Sequence, residues 1–151
     1  MFLEGFVDLD PELLFKILLA VALGAIVGFE RELKHRPAGL RTHMLVSLGS
    51  VIFTVTSMSF DIEPTRIASG IVTGIGFLGA GSIIALRGHI RGITSAATLW
   101  VVASIGLSVG IGEYALAIVS AVIVFGILRI KSVEDKLIHV KDKRPKGYDD
   151  F

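Results

Sequence analysis

One stretch of the chain, residues 67–86, contains no charged residue and has five glycines in its twenty positions. As a helix it would be about 30 Å long, which matches the hydrocarbon thickness of a bilayer. A soluble helix seldom carries so many glycines, because each costs about 1 kcal/mol relative to alanine. In membranes small residues let helix backbones touch, since lipid gives no hydrophobic drive between helices. The stretch predicts a membrane protein whose third helix is the packing centre.

The composition agrees with a single membrane domain. The chain has 151 residues, of which 52% are hydrophobic, and its mean hydropathy is +0.74. Cysteine is absent, which excludes disulfides, thiolate metal sites and a cysteine nucleophile. The first ten residues are acidic and lack the basic start of a cleavable signal peptide. We therefore expect the first apolar span to remain in the mature protein.

Five apolar stretches are predicted to be membrane spans joined by mostly short loops. They run approximately from Glu12 to Phe29, Arg41 to Phe60, Arg66 to Leu86, Ile93 to Val109 and Glu113 to Ile130. The predicted fold is an all-α integral membrane protein with five transmembrane helices. Residues 1–130 would form the membrane domain, and residues 131–151 a short basic tail.

Basic residues are concentrated in alternate connections between these spans. The loop after the first span holds four, the loop after the third holds two, and the region from Arg129 onward holds seven. The segment before the first span and the loop after the fourth hold none, and the loop after the second holds one. The positive-inside rule then places the N-terminus outside and the C-terminus in the cytoplasm.

Pairs of glycines four residues apart, which allow close helix packing, occur in three spans. They are Gly24 and Gly28, Gly70 and Gly74, and Gly106 and Gly110, and the third span adds Gly76, Gly79 and Gly81. Packing within the chain, a homodimer or larger homo-oligomer, and a broken helix over 74–81 that lines a site all fit this pattern. The GxGxxG match at 74–79 lacks the strand and the acidic residue of a dinucleotide site, so we reject it.

Polar residues gather at the predicted cytoplasmic edge, where Glu30 and Arg31 close the first span and Arg41 and Thr42 open the second. We expect Glu30 to pair with Arg41 there, with a solvated loop as the alternative. Hydroxyls inside the spans either bond to their own backbone or line a polar path. These hydroxyls are Thr73, Ser82, Thr94, Ser95 and Thr98.

Motifs for catalysis and metal binding were not found. The chain has no nucleophile elbow, P-loop or HExxH motif, so we predict no catalytic residue. Its four histidines lack metal-ligand spacing, so we predict no metal site. The basic tail lacks interleaved aromatic residues, so anionic lipid is a better partner for it than nucleic acid.

Four ordered blocks of sequence resemble the membrane domain of the MgtC/SapB family between about Leu18 and Arg129. They are GAIVGFERE, RPAGLRTHMLVSLGS, RIASGIVTGIGFLGAGSII and GITSAATLWVVASIGLSVGIGEY. The resemblance implies a multi-pass protein of a bacterial-type inner membrane, linked to low-magnesium and acid stress and to survival inside host cells. Longer members carry a C-terminal domain resembling an ACT fold, and residues 131–151 show no counterpart of it.

Two functions remain open under this resemblance, a Mg²⁺ transporter or channel and a regulator that contacts another membrane complex such as the F-type ATP synthase. Mg²⁺ prefers oxygen ligands, usually carboxylates. No Asp or Glu lies in the middle of a predicted span, and Glu30 lies at the cytoplasmic edge. The residues therefore favour a non-enzymatic protein without a cofactor that acts by packing against itself or a partner.

Overall fold

Five α-helices and one short β-hairpin form the part of the chain that the computed structural model describes, residues 10–59, 64–86 and 89–141. Two of these helices are long and apolar enough to cross a bilayer, with mean hydropathies of 2.2 and 1.6. They are the first and the fourth, so the count of five spans and their orientation stay predictions. The helices are α1 (Pro11–Leu33), α2 (Leu40–Met58), α3 (Pro64–Gly81), α4 (Ile93–Gly110) and α5 (Tyr114–Lys141).

The five helices confirm the all-α class, but the third helix is shorter than the sequence predicted. It ends at Gly81, and β1 (Ile84–Leu86) then pairs antiparallel with β2 (His89–Arg91). The Ser82 hydroxyl donates a 2.8 Å hydrogen bond to the Gly79 carbonyl in the last turn of α3. Carbonyls in a last turn lack a partner within the helix, so this bond caps the end of α3. Gly92 enters α4 with φ +96°, and an added Cβ there would collide with the Ser82 carbonyl. The hairpin is thus bounded by a capped helix end and a glycine that no other residue replaces without strain.

Two helices share the centre of the bundle: α4 contacts all four other helices, and α2 contacts α1, α3 and α4. An added Cβ at Gly24 of α1 would lie 2.9 Å from Ser47 Cβ, and one at Gly106 of α4 would lie 2.8 Å from Ser50 Cβ. Real Cβ atoms essentially never approach so closely, so both contacts require glycine. Within one chain, the expectation that the third helix is the packing centre therefore does not hold.

The apolar core lies mainly between α1, α2, α4 and α5. Its members include Ala20, Leu23, Val27, Val51, Val102, Ile105, Val109, Ala117 and Ala121. A smaller cluster joins α3 to α4 through Ile75, Leu99 and Ala103, with Ala38 of the α1–α2 loop beside them.

The distribution of side chains is the reverse of that in a water-soluble bundle. Large apolar side chains lie on the outside, with Leu45 66% and Phe77 83% exposed. Small and hydroxyl side chains lie inside, such as Ser47, which is fully buried, and Thr54, which is 3% exposed. An exterior this apolar would be an aggregation hazard in water but suits contact with lipid. The packing therefore supports a membrane location independently of hydropathy.

Candidate functional site

Buried ionisable and polar side chains gather where α1 ends and α2 begins. Glu30 and Arg31 are 4% and 5% exposed, and His43 is completely buried. Thr98 of α4, 4% exposed, lies beside His43. We refer to these four residues as the buried polar cluster. Ionisable groups inside membrane bundles are costly and usually mark functional positions, so this cluster is the candidate site.

Glu30 and Arg31 form an ion pair between neighbours in the sequence. Arg31 Nε donates to Glu30 Oε2 at 2.6 Å, and Nη2 contacts the same oxygen. The other carboxylate oxygen, Oε1, is buried and has no hydrogen-bond partner among the described residues. An unsatisfied buried acceptor costs on the order of 1–3 kcal/mol. Glu30 therefore neutralises Arg31 and keeps a second oxygen as an open acceptor.

The expected pair between Glu30 and Arg41 is replaced by this contact. Gly28 on α1 faces the start of α2, where its added Cβ would lie 2.9 Å from His43 Cβ. Arg41 lies two residues before His43 and so points about 200° away around the helix, where it is exposed. Thr42 is half-buried and lines a groove between α2 and α3. The four residues predicted to meet at the cytoplasmic edge thus separate into a buried pair and two residues facing elsewhere.

The link between the end of α1 and the start of α2 is made by Glu32. Its Oε2 accepts a hydrogen bond from the Leu40 N–H at 3.0 Å and so caps α2. Gly39 leaves room for that carboxylate, because an added Cβ would collide with Glu32 Oε2. Sequence reasoning missed this cap. The available signal was a glycine directly before the apolar run, with an acidic residue in the same short connection.

His43 joins α2 to α4 inside the bundle. Its Nδ1 donates to the Gly39 carbonyl at 2.8 Å, because a carbonyl oxygen can only accept. Its Nε2 lies 3.1 Å from Thr98 Oγ1, and that hydroxyl lies 2.8 Å from the Ser95 carbonyl. Sequence reasoning missed His43, which it grouped with the other histidines at span ends. The signal was a polar stripe spaced by four and three residues along α2, namely His43, Ser47, Ser50, Thr54 and Ser57.

The other hydroxyl side chains predicted to line a polar path do not form a continuous path through the bundle. Thr73 is exposed and donates to the Ser69 carbonyl at 3.0 Å. Ser82 closes the end of α3, and Thr94 is exposed at the start of α4. Ser95 is buried beside Thr98 and supplies the carbonyl described above. Bonding to the local backbone thus accounts for Thr73, Ser82 and one of the two contacts of Thr98.

The glycines of α3 have a different environment from those of α1 and α4. Gly79 meets Ala96 Cβ at an ordinary 3.5 Å. An added Cβ at any of the other four would meet nothing within 4 Å beyond the local helix backbone. Gly70 and Gly74 form part of one wall of an apolar groove of about 700 Å³ between α2 and α3, whereas Gly76 lies on another side of the helix. The four open glycines are Gly70, Gly74, Gly76 and Gly81.

Metal ligands do not cluster in the described ranges. Across residues 10–59, 64–86 and 89–141, no three histidine or carboxylate side chains are grouped so that they could hold a metal ion. The buried polar cluster offers one carboxylate, already paired with a guanidinium, and one imidazole with both nitrogens engaged. Its chemistry suits hydrogen bonding and proton binding.

Comparison with known proteins connects this arrangement to a family. Residues 17–136 match the model of the MgtC family. The chain is 43% identical over 124 residues to a protein of Escherichia coli (strain K12) named "Putative magnesium transporter YhiD", covering 76% of this chain and 57% of that protein. It is 46% identical over 110 residues to Protein MgtC of Brucella abortus (strain 2308), covering 72% and 46% respectively.

A further relative is Protein MgtC of Salmonella typhimurium (strain LT2), 44% identical over 112 residues that cover 74% of this chain and 48% of the relative. The chain thus spans about half the length of the curated relatives it matches. No solved structure matches it. The matched region contains every residue of the buried polar cluster and of the groove, and the chain belongs to the MgtC family.

Proposed function

We propose that this chain is a non-enzymatic, multi-pass protein of a bacterial-type inner membrane that acts by helix contact with other membrane proteins. The observation that carries the proposal is the open glycine face of α3 beside the apolar groove. In the same chain, the glycine pairs of α1 and α4 are each in tight contact with α2. The pair in α3 has the same spacing, but no atom of another described helix lies within 4 Å of an added Cβ at either glycine, which supports a contact with another molecule.

The cost of these glycines supports the same proposal. Four open glycines in one helix cost roughly 4 kcal/mol in helix propensity relative to alanine. Lipid does not offset that cost, whereas a second helix that approaches closely gains packing contacts and backbone proximity. Phe77, on the same helix, is 83% exposed and adds a large apolar side chain to this surface.

Two kinds of partner fit a membrane-embedded surface of this kind. One is a second copy of the chain, which would give a homodimer or a larger homo-oligomer. The other is a larger membrane complex, for which the F-type ATP synthase is our candidate, with adaptation to low magnesium and acid stress as the physiological setting. The basic tail would lie on the cytoplasmic side and interact with anionic lipid head groups.

The test compares two leucine substitutions at open glycines. Gly74 lies on the wall of the α3 groove, and Gly126 lies on the exposed face of α5. At both positions an added Cβ would have no atom within 4 Å beyond the local helix. Both variants should fold as isolated chains. We expect Gly74→Leu to reduce severalfold the recovery of a differently tagged second copy, or of ATP synthase subunits, from native membranes. Equal recovery with Gly74→Leu and Gly126→Leu would contradict the proposal.

A Mg²⁺ transporter or channel is the second candidate, favoured by the name of the Escherichia coli relative. Liposomes that contain only this chain separate the two functions, because a transporter needs no other protein. Under our proposal they show no Mg²⁺ flux above that of empty liposomes. Saturable Mg²⁺ uptake that changes with substitution of Thr73, Ser82 or Thr98 would establish transport instead.

A further inference from the structure

The imidazole of His43 is enclosed by three helices and has a polar partner at each nitrogen. The ring is completely buried, and its Cβ is the nearest side-chain atom to an added Cβ at Gly28 of α1. Nδ1 donates to the Gly39 carbonyl of its own helix start, and Nε2 faces the Thr98 hydroxyl of α4. A neutral buried imidazole needs an acceptor for its N–H and a donor for its bare nitrogen, and a hydroxyl at the second nitrogen can serve it in either protonation state.

Counting protons along this chain of hydrogen bonds shows that two protonation states are fully satisfied. In the neutral ring, Nδ1 carries the proton and Nε2 accepts from the Thr98 hydroxyl at 3.1 Å. In the charged ring, Nε2 donates to Thr98 Oγ1, whose own proton turns to the Ser95 carbonyl at 2.8 Å. The two states use the same heavy-atom positions and differ by one hydroxyl rotation.

We propose that His43 is a proton-binding site inside the bundle, where Nε2 takes up a proton from the medium while the Thr98 hydroxyl turns from Nε2 to the Ser95 carbonyl. The proton is the only ligand, one N–H bond forms, and the site gains one positive charge. No other residue has to be rebuilt for this step. The inference is independent of the proposed helix contacts through α3.

The charges on the surrounding elements both favour and oppose this step. On α1, Glu30 and Arg31 form an ion pair that leaves Glu30 Oε1 as an unpaired acceptor among the described residues. The Arg31 charge opposes a second positive charge at His43, and the Glu32 carboxylate caps the start of α2. On α2 itself the neighbouring charge is Arg41, which is exposed. The α4 sequence Ile93–Gly110 contains no ionisable residue. The added charge on His43 therefore meets one buried carboxylate and one buried guanidinium.

Proton uptake would change the strength of the link between α2 and α4. A hydrogen bond from an imidazolium is roughly twice as strong as one between neutral groups. Because His43 also lies against Gly28, a change at this ring acts on the contact of all three helices. The cluster thus makes the packing of the bundle responsive to the proton concentration.

The direct test is ¹⁵N NMR of the full chain in detergent micelles with labelled histidine, with His43→Gln used to assign the ring among the four histidines. At high pH we expect a proton on Nδ1 and a bare Nε2, and on lowering the pH from about 8 to about 5 we expect both nitrogens protonated. A ring that stays neutral over the whole folded range, or that carries its high-pH proton on Nε2, overturns the proposal.

Two substitutions of Thr98 test the role of the hydroxyl. Thr98→Val removes a partner that serves both states, and because the charged bond is stronger, the proton affinity of His43 should fall about tenfold. Thr98→Ser keeps the hydroxyl and should titrate as the wild type does. Thr73→Val removes an exposed, backbone-bonded hydroxyl and is the matched control. Equal proton affinity in Thr98→Val and the wild type would show that the hydroxyl takes no part.

Discussion

The close packing of two glycine-bearing helices against one face of α2 leads to a quantitative prediction for Gly106→Ala. The new Cβ would lie 2.5 Å from the Ser47 carbonyl oxygen and 2.8 Å from Ser50 Cβ. An ordinary contact begins near 3.4 Å, so α2 would have to retreat by almost an ångström. Gly24 of α1 meets the same face of α2, where its added Cβ would lie 2.8 Å from the His43 carbonyl oxygen. A retreat of α2 from α4 would therefore disturb its contact with α1 as well.

The size of the effect is obtained by comparison with Gly126→Ala on the exposed face of α5. Both changes gain about 1 kcal/mol from alanine's helix propensity, so their difference isolates the packing cost. Overpacking a filled interior costs about 1–3 kcal/mol, and the overlap with a backbone carbonyl, which cannot rotate away as a side chain can, places Gly106→Ala in the upper part of that range. We expect Gly126→Ala to be more stable than wild type and Gly106→Ala to be less stable, with about 2–3 kcal/mol between them.

The assay is reversible unfolding of the purified chain in mixed micelles with increasing SDS, followed by circular dichroism. Each variant is compared with the wild type at the same protein and detergent concentration, so that association does not differ between samples. Gly106→Ala with a stability equal to or above that of Gly126→Ala would refute the argument, because the two glycines would then have equivalent surroundings.

Three further predictions concern the buried cluster, the helix contact and the topology. Arg31→Met leaves Glu30 buried and unpaired, so it should cost about 3–5 kcal/mol of unfolding free energy, and adding Glu30→Gln should recover part of the loss in the same assay. Ser47→Ala removes a 2.7 Å hydrogen bond to a carbonyl of α1 and should cost about 1 kcal/mol by SDS unfolding. A reporter fused after Phe151 should be cytoplasmic and one inserted at 61–65 external, and the reverse labelling would reject the orientation.

The sequence was sufficient to identify the glycine motifs but not to assign their neighbours. All three GxxxG pairs have the same spacing, yet only those of α1 and α4 contact α2 within the chain. The difference arises from the order in which the helices surround α2, which depends on contacts between distant parts of the sequence. Local spacing carries no information about that order. This is why α3, which has the most glycines, was expected at the centre.

Two local features were also misjudged for identifiable reasons. The apolar residues Ile84–Leu86 continued the pattern of the third span, and periodicity alone does not distinguish a short strand from the end of a buried helix. Glu30 was expected to reach across the loop, but Arg31 lies next to it in the chain and both are buried at the helix end. The general helix rule that adjacent residues point apart did not anticipate two long side chains bending together.

The tight contacts of α2 divide the bundle into parts with different freedom to move. Because α1 and α4 both pack at the backbone against one face of α2, we expect these three helices to move together. The helix α3 has no such restraint, since it touches α4 at ordinary distance through Gly79 and faces an open groove towards α2. A rearrangement of the bundle on partner binding would therefore be a swing of α3, with α4 as the hinge side and the groove closing or widening.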